Sequence, residues 1–414
     1  MSMNSTPSSE RIHIGIFGKR NAGKSSLINA MTGQSLSIVS EVEGTTTDPV
    51  QKAMELLPLG PVVLIDTPGI DDEGELGELR VARSYQMLNK SDIAMLVLDA
   101  REGMTGEDEK LLRRIWEKKI PVLVSLNQCD LLEKEEMDSR IKETQEKIQK
   151  MAGESAMTTE ILEVSAVTGY HIFELKEKLA HLVPEENDGP RIVADLLDTE
   201  KIAVLVVPID KAAPKGRLIL PQQQTIRDIL EAGAACVVVR DTELEETLRK
   251  LQGQVGIVIT DSQAFGKVSK IVPPEIPLTS FSILFARYKG ELEPFLAGVN
   301  ALEKLKDGDK VLISEGCTHH RQCDDIGTVK IPRWITEYTG KKLEFSFTSG
   351  GGFPNDLSPY HMIVHCGACM LNAREMHFRI ACAQDAGIPI TNYGMLIAKI
   401  KGILERSMEP IKYL

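Results

Sequence analysis

No stretch of the 414-residue sequence approaches the ~20 consecutive apolar residues that a membrane-spanning helix needs, although 42% of its residues are hydrophobic. No membrane partner is therefore expected. An excess of positive charge is also missing: 48 lysines and arginines face 60 aspartates and glutamates, for a formal net charge of -12. That balance argues against a broad grip on nucleic acid, which needs a basic surface. The first ten residues, MSMNSTPSSE, have neither the basic start nor the apolar stretch of a secretory signal, so a cytoplasmic protein is expected. The seven cysteines are an odd number and do not read as a disulfide framework. Their placement is uneven: Cys129 and Cys236 stand alone, whereas Cys317, Cys323, Cys366, Cys369 and Cys382 crowd the carboxy-terminal part.

A chain of this length predicts two or three domains. Near its start, the apolar strand candidate RIHIGIF runs into Gly18-Lys19-Arg20-Asn21-Ala22-Gly23-Lys24-Ser25, followed by Ser26 and a helical-looking stretch. This fits G-x-x-x-x-G-K-[ST]. Its glycines let backbone N–H groups wrap phosphates at a helix N-terminus, Lys24 offsets β/γ-phosphate charge, and the Ser25 hydroxyl ligates Mg²⁺. Partner motifs follow in order. Asp66-Thr67-Pro68-Gly69 comes after PVVLI, which puts Asp66 at a strand end where it holds Mg²⁺ through water and Gly69 N–H near the γ-phosphate. Asn127-Gln128-Cys129-Asp130 follows PVLVSL; Asp130 can accept from guanine N1–H and from its exocyclic amine, a donor pair that adenine lacks. Ser165-Ala166 would set a backbone N–H against guanine O6. Gly44-Thr45-Thr46-Thr47-Asp48 lies where a switch threonine must reach the metal.

Through GKRNAGKSSL, GTTTD, DTPG, NQCD and SA, residues 10 to 183 resemble the Era/TrmE-type GTPases. The resemblance implies a P-loop GTPase domain over 1–185 that binds GTP and GDP, with Thr46 as the Mg²⁺ ligand and Thr45 as the fallback. Two departures matter. Gln128 replaces the usual lysine of the guanine motif, which loosens base stacking. Ile70 occupies the position where Ras-like enzymes place a water-orienting glutamine. Related GTPases with a hydrophobic residue there and an asparagine matching Asn21 use K⁺ to stabilise charge between the phosphates, so K⁺-stimulated hydrolysis is implied.

A polar Pro/Gly stretch, PEENDGP, marks a linker at 184–190. Beyond it, KIAVLVVPI, CVVVR and QVGIVIT alternate with two helical patterns, predicting an α/β domain over 190–272 with a parallel sheet and an interaction or dimerisation role. Asp210, Lys211, Lys215 and Arg217 read as a solvated loop, and Cys236 as a small core residue.

In a third domain, over 273–414, three strand candidates end in loops: KVLISEG before Cys317-Thr318-His319, KLEFSFTSG before Gly350-Gly351-Gly352, and HMIVH, which contains His365 and runs into Cys366-Gly367-Ala368-Cys369. If these strands are parallel neighbours, their loops converge at one sheet edge. The spacing supplies ligands for either Zn²⁺ or an iron-sulfur cluster. A Cys366-x-x-Cys369 pair opening the helix MLNAREMHFRIACA would have its thiolates favoured by the helix N-terminus.

The whole chain, with C-T-H and H-C-G-A-C behind the GTPase, is similar to the family of maturation GTPases and scaffolds for the [FeFe]-hydrogenase active site. That resemblance implies Cys317, Cys366 and Cys369 as ligands of a [4Fe-4S] cluster. It makes His365, or else His319, the candidate for the fourth iron or for a supporting position, with a carboxylate or small anion as alternatives. It further implies a homodimer that receives a di-iron precursor made with two radical-SAM maturases and delivers it to apo-[FeFe]-hydrogenase. Two other readings remain open from sequence: a ribosome- or tRNA-linked GTPase with a structural zinc domain, and a redox-sensing iron-sulfur GTPase. Cys323 and His320 are expected to be bystanders, and His361, His377 and Cys382 to be structural.

Overall fold

The computed structural model describes residues 6–33, 50–69, 84, 86–152, 159–183, 191–209, 218–316, 325–350, 352–354 and 356–411. The chain divides into two compact units, Met1–Asn187 and Asp188–Leu414.

In the first unit, short apolar runs form a six-stranded sheet from β1 (Ile12–Phe17), β2 (Val50–Leu56), β3 (Gly60–Asp66), β4 (Ile93–Asp99), β5 (Val122–Asn127) and β6 (Glu160–Glu163), in the order β2-β3-β1-β4-β5-β6. The β2–β3 pair is antiparallel and all others are parallel. Parallel strands need crossovers that cover both faces. Helices α1 (Lys24–Thr32), α2 (Gly106–Glu117), α3 (Lys134–Ala152) and α4 (Ile172–His181) supply them. Strand β4 shows why its sequence is apolar at every step. Ile93, Met95 and Val97 pack into one core with Leu27 of α1 and Leu175 and Leu179 of α4, while Ala94, Leu96 and Leu98 pack into the other with Leu111 and Ile115 of α2. Each fully buried leucine or isoleucine contributes about 1.5–3 kcal/mol. At the start of α2, the Asp108 carboxylate accepts from Thr105 N and Oγ1 at 2.9 and 2.7 Å. Its other oxygen is buried without a partner among the described residues, and burial raises its pKa above the usual carboxylate range.

The second unit holds two further sheets. Strands β7 (Ile202–Val206), β8 (Ala235–Val239), β9 (Val255–Thr260) and β10 (Leu278–Ser280) pair in the order β10-β9-β7-β8, all parallel. The second sheet contains β11 (Lys310–Glu315), β12 (Glu344–Ser349), β13 (Met362–His365) and β14 (Ile390–Asn392) in the order β12-β11-β13-β14, again all parallel. Helices α5 (Leu220–Glu231), α6 (Leu244–Leu251), α7 (Phe265–Ile271), α8 (Phe281–Lys289), α9 (Leu292–Asn300), α10 (Ile331–Thr339), α11 (Ala373–Asp385) and α12 (Tyr393–Ile400) cover them. The expected mainly parallel α/β architecture is thus present in both units. Because β10 belongs to the first of these sheets, the boundary expected at 272/273 falls within its chain. One apolar core runs from Ile192 through Val258, Phe285, Leu312 and Ile363 to Ile411 and so joins the two sheets. On the other face of β11 and β13, Val311, Ile313, Met362 and Val364 pack against Ile331 and Ile335 of α10. Cys236, expected in the core, lies half-buried on the edge strand β8. Val238 on the same strand is 42% exposed. The loop with Asp210, Lys211, Lys215 and Arg217 lies outside the described residues. Among the described residues no helix is long and apolar enough to cross a membrane.

Candidate functional site

Two constructions stand at carboxyl edges of parallel sheets, where α/β folds place ligands. The first follows β1. Gly18 has φ +145°, and a Cβ on it would lie 2.2 Å from the Val97 carbonyl oxygen; Gly23 has φ +84°, and a Cβ on it would strike Asn127 Nδ2 at 2.3 Å. Only glycine permits this wrap. Lys24, in the first turn of α1, donates from Nζ to the Gly18 and Lys19 carbonyls at 2.9 and 2.7 Å. The Ser25 hydroxyl donates to Asp66 Oδ2 at 2.9 Å, which joins the two groups expected to serve one Mg²⁺. Burial raises the Asp66 pKa against the opposing effects of the Ser25 bond and the Lys24 charge.

At the base-reading end, buried Asn127 donates from Nδ2 to the Ala22 carbonyl at 2.9 Å and accepts from Ala166 N at 3.3 Å. Gln128 donates from Nε2 to the Asn21 carbonyl at 3.0 Å. Three segments remote in sequence are thereby stitched together. They enclose a cavity of about 680 Å³, in the range of small-molecule sites; Asn21, Gly23, Lys24, Ser25, Ser26, Asp66, Gly69, Asn127, Asp130 and Ala166 line it. Ser165 is fully buried, and its Oγ accepts from Thr168 N at 3.1 Å, shaping the turn that presents Ala166. Thr45, Thr46 and Ile70 lie outside the described residues.

The second construction is the edge of the β12-β11-β13 array. Ser314 pairs in register with His365 and with Thr348, so the loops after β11, β12 and β13 leave side by side, as the parallel-neighbour condition required. The Gly316 and Ala368 N–H groups both donate to Cys366 Sγ, at 3.1 and 3.4 Å. A Cβ on Gly316 would lie 2.7 Å from the Leu371 side chain, so only glycine lets β11 end this close. Burial raises the Cys366 thiol pKa and, with the Cys366 charge, raises that of Cys369 to about 11. This corrects the expectation of helix-favoured thiolates. Helix α11 begins later, at Ala373, and its N-cap Asn372 accepts from Glu375 N at 3.0 Å, so the helix end is closed by its own side chain.

His365 is fully buried. Its Nε2 lies 3.0 Å from Arg379 Nη1 and its Nδ1 2.9 Å from the Cys366 carbonyl. Because arginine only donates, Nε2 accepts and Nδ1 carries the proton. Both ring nitrogens are engaged, and burial with the Arg379 charge lowers the pKa to about 3. His365 is thus held on both sides by the protein itself, directly behind Cys366. Cys317, His319, His320 and Cys323 lie outside the described residues, and among those described no group of three or more potential metal ligands is assembled. His361 Nδ1 accepts from Lys310 N at 3.1 Å and His377 faces Glu291 at 3.7 Å, both structural contacts.

Three charged residues escaped the sequence reading. Arg379 is 1% exposed, and Lys289 is 2% exposed with Nζ on the Cys369 and Leu371 carbonyls at 3.2 and 2.8 Å. Glu315, 3% exposed at the end of β11, accepts from the Tyr393 hydroxyl at 3.2 Å. The i,i+4 spacing of Glu375 and Arg379 was the one visible signal, and it reads equally as a surface pair.

The donor set fits a sulfur-ligated metal group. Two enclosed thiols stand three residues apart, backbone N–H groups already aim at sulfur, and the buried Arg379 Nε has no acceptor among the described residues.

Comparisons with known proteins add the family. The 50S ribosome-binding GTPase family model matches residues 13–128. GTPase Der of Clostridium perfringens is 35% identical over 195 residues, covering 46% of this chain and 43% of the relative. The tRNA modification GTPase MnmE of Nitrosomonas eutropha is 37% identical over 123 residues, covering 30% and 27%. The match thus spans under half the length of these relatives. A crystal structure of Aquifex aeolicus Era shares 23% identity at a TM-score of 0.36, covering 59% of this chain and 98% of that one. Behind this P-loop GTPase domain, residues 192–290 match the hydrogen maturase F dimerization domain and residues 293–410 its tetramerization domain, so the chain belongs to the hydrogen maturase F family.

Proposed function

We propose that this chain is a cytoplasmic, GTP-hydrolysing scaffold that carries a [4Fe-4S] cluster and a di-iron precursor and hands the precursor to apo-[FeFe]-hydrogenase. Lys24 and the P-loop amides hold the β- and γ-phosphates, Ser25, Thr46 and Asp66 serve Mg²⁺, Gly69 N–H meets the γ-phosphate, and Asp130 with the Ala166 N–H reads guanine. Asn21 faces a K⁺ between the phosphates. Pre-set charge and donors of this kind supply most of the catalysis in phosphoryl transfer. Hydrolysis then changes the switch segments around Thr46 and Asp66–Gly69, and with them the surface offered to the two radical-SAM maturases that supply the precursor and to the hydrogenase that accepts it.

Cys317, Cys366 and Cys369 would hold the cluster. A cluster with three cysteine ligands supplies one iron open to an exchangeable ligand. The chain's own part is to enclose the thiols, aim the Gly316 and Ala368 amides at Cys366 Sγ, and fix His365 behind them. The half-exposed β8 edge, with Val238, is the surface through which two copies pair, in line with the dimerization-domain match.

The observation that carries this reading is the meeting of the β11, β12 and β13 ends around Cys366 in the family that the comparisons identify. Iron and acid-labile sulfide are to be measured after anaerobic purification, in wild type and in Cys366→Ala. Iron and sulfide in the wild type and their loss in the variant are expected. One zinc per chain without sulfide would overturn the cluster. Transfer is tested by loading the chain with di-iron precursor and assaying activation of apo-hydrogenase.

A further inference from the structure

Arg379 sits on α11 with 1% exposure, and one guanidinium reaches the carboxyl end of every strand that contributes a loop to the cysteine site. Its Nη1 donates to His365 Nε2 at 3.0 Å, at the end of β13, and approaches Ser314 Oγ at 3.4 Å on β11. Its Nη2 donates to the Gly350 carbonyl at 2.7 Å, directly after β12, and to Glu375 Oε1 at 2.6 Å. The Phe353 ring lies 5.2 Å from the guanidinium carbon. Burying such a group carries a large desolvation penalty, and packed apolar residues usually serve stability as well or better. A buried arginine that binds three loop ends where two thiols open contributes something else, namely fixed geometry and fixed charge.

We propose that Arg379 is a positioning residue of the sulfur-ligand site: it locks the ends of β11, β12 and β13 together and keeps a positive charge behind the thiolates that sets the reduction potential of the bound cluster. This rests on the cluster reading above. The geometric part follows from the relay of Arg379 to His365 and of His365 Nδ1–H to the Cys366 carbonyl, which fixes the main chain of the ligand itself. Partners of that kind hold metal ligands in orientation. The electrostatic part follows from charge: reduction adds an electron to the cluster, and a nearby cation in a water-poor site stabilises the product.

The test compares wild type, Arg379→Met and Arg379→Lys, each reconstituted with iron and sulfide, by redox titration of the cluster signal and by the rate of iron loss to a chelator. Arg379→Met is expected to shift the potential to more negative values and to lose iron about tenfold faster or more. Arg379→Lys, which keeps the charge and loses the fork, is expected to hold the wild-type potential yet lose iron faster. The lysine variant carries the test should the methionine variant fail to fold. Variants with wild-type potential and wild-type iron retention overturn the inference alone. A wild-type chain that takes up no iron and sulfide overturns both this inference and the cluster reading.

Discussion

Gln128 donates its side-chain N–H to the main-chain oxygen of Asn21 across 3.0 Å, tying the guanine motif to the phosphate loop. The glutamine that replaces lysine thus keeps a structural bond while giving up a long aliphatic stem and a charge. A net hydrogen bond is worth about 0.5–1.5 kcal/mol. Gln128→Ala is therefore expected to weaken GTP binding about two- to tenfold, read by titration with a fluorescent GTP analogue. Unchanged affinity would mean that the bond positions nothing.

Asn21 holds φ +65°, a left-handed conformation that asparagine tolerates better than most residues, and its side chain lines the phosphate end of the cavity. GTP turnover is expected to be faster in K⁺ than in Na⁺ at equal ionic strength, and Asn21→Ala to abolish the difference. Equal turnover in the two salts for the wild type would remove Asn21 from the cation site.

Asp108 offers a pH-dependent prediction away from any ligand. Its folded pKa is raised by burial from 3.8, so the folded state favours the proton more than the unfolded chain does. The contribution to stability is then greatest below pH 3.8 and declines as pH rises through the raised value. An asparagine at this position would keep an acceptor for Thr105 without a charge. Asp108→Asn is expected to melt no lower than wild type at a pH of about 7.5 and to lose the difference on acidification. A lower melting temperature at the same neutral pH would show that the ionised carboxylate stabilises the cap.

On β8 the test concerns self-association. Val238→Lys places a charge on an apolar edge, the device by which sheets avoid pairing, and should raise the dimer dissociation constant by about tenfold or more in sedimentation equilibrium, with GTP turnover unchanged. A variant as dimeric as wild type would place the interface elsewhere.

Much of this was legible because local pattern and global fold agree. RIHIGIF, PVVLI and PVLVSL are strands since each is apolar on both faces, and the motifs after them sit at the sheet edge because parallel strands end there. KVLISEG, KLEFSFTSG and HMIVH were recognisable as strands, and their parallel pairing followed the same logic. The start of α11 was misplaced because Asn372, the cap, lies inside a run of good helix formers. Arg379 and Lys289 were invisible because nothing local to a charged residue reports that distant strands will bury it. The contact made by His365 was hidden for the same reason: its spacing from Cys366 is plain in the sequence, whereas the guanidinium fourteen residues on that reaches its nitrogen is not.

The core that runs from Ile192 to Ile411 bears on how the protein is made. On the ribosome, residues of the first unit carry all they need to close their own two cores before the remainder is synthesised, and domains generally fold as they emerge. In the second unit one core is shared by both sheets and is completed only when Met408 and Ile411 arrive. Chaperone capture and aggregation should accordingly concentrate in the latter half of synthesis.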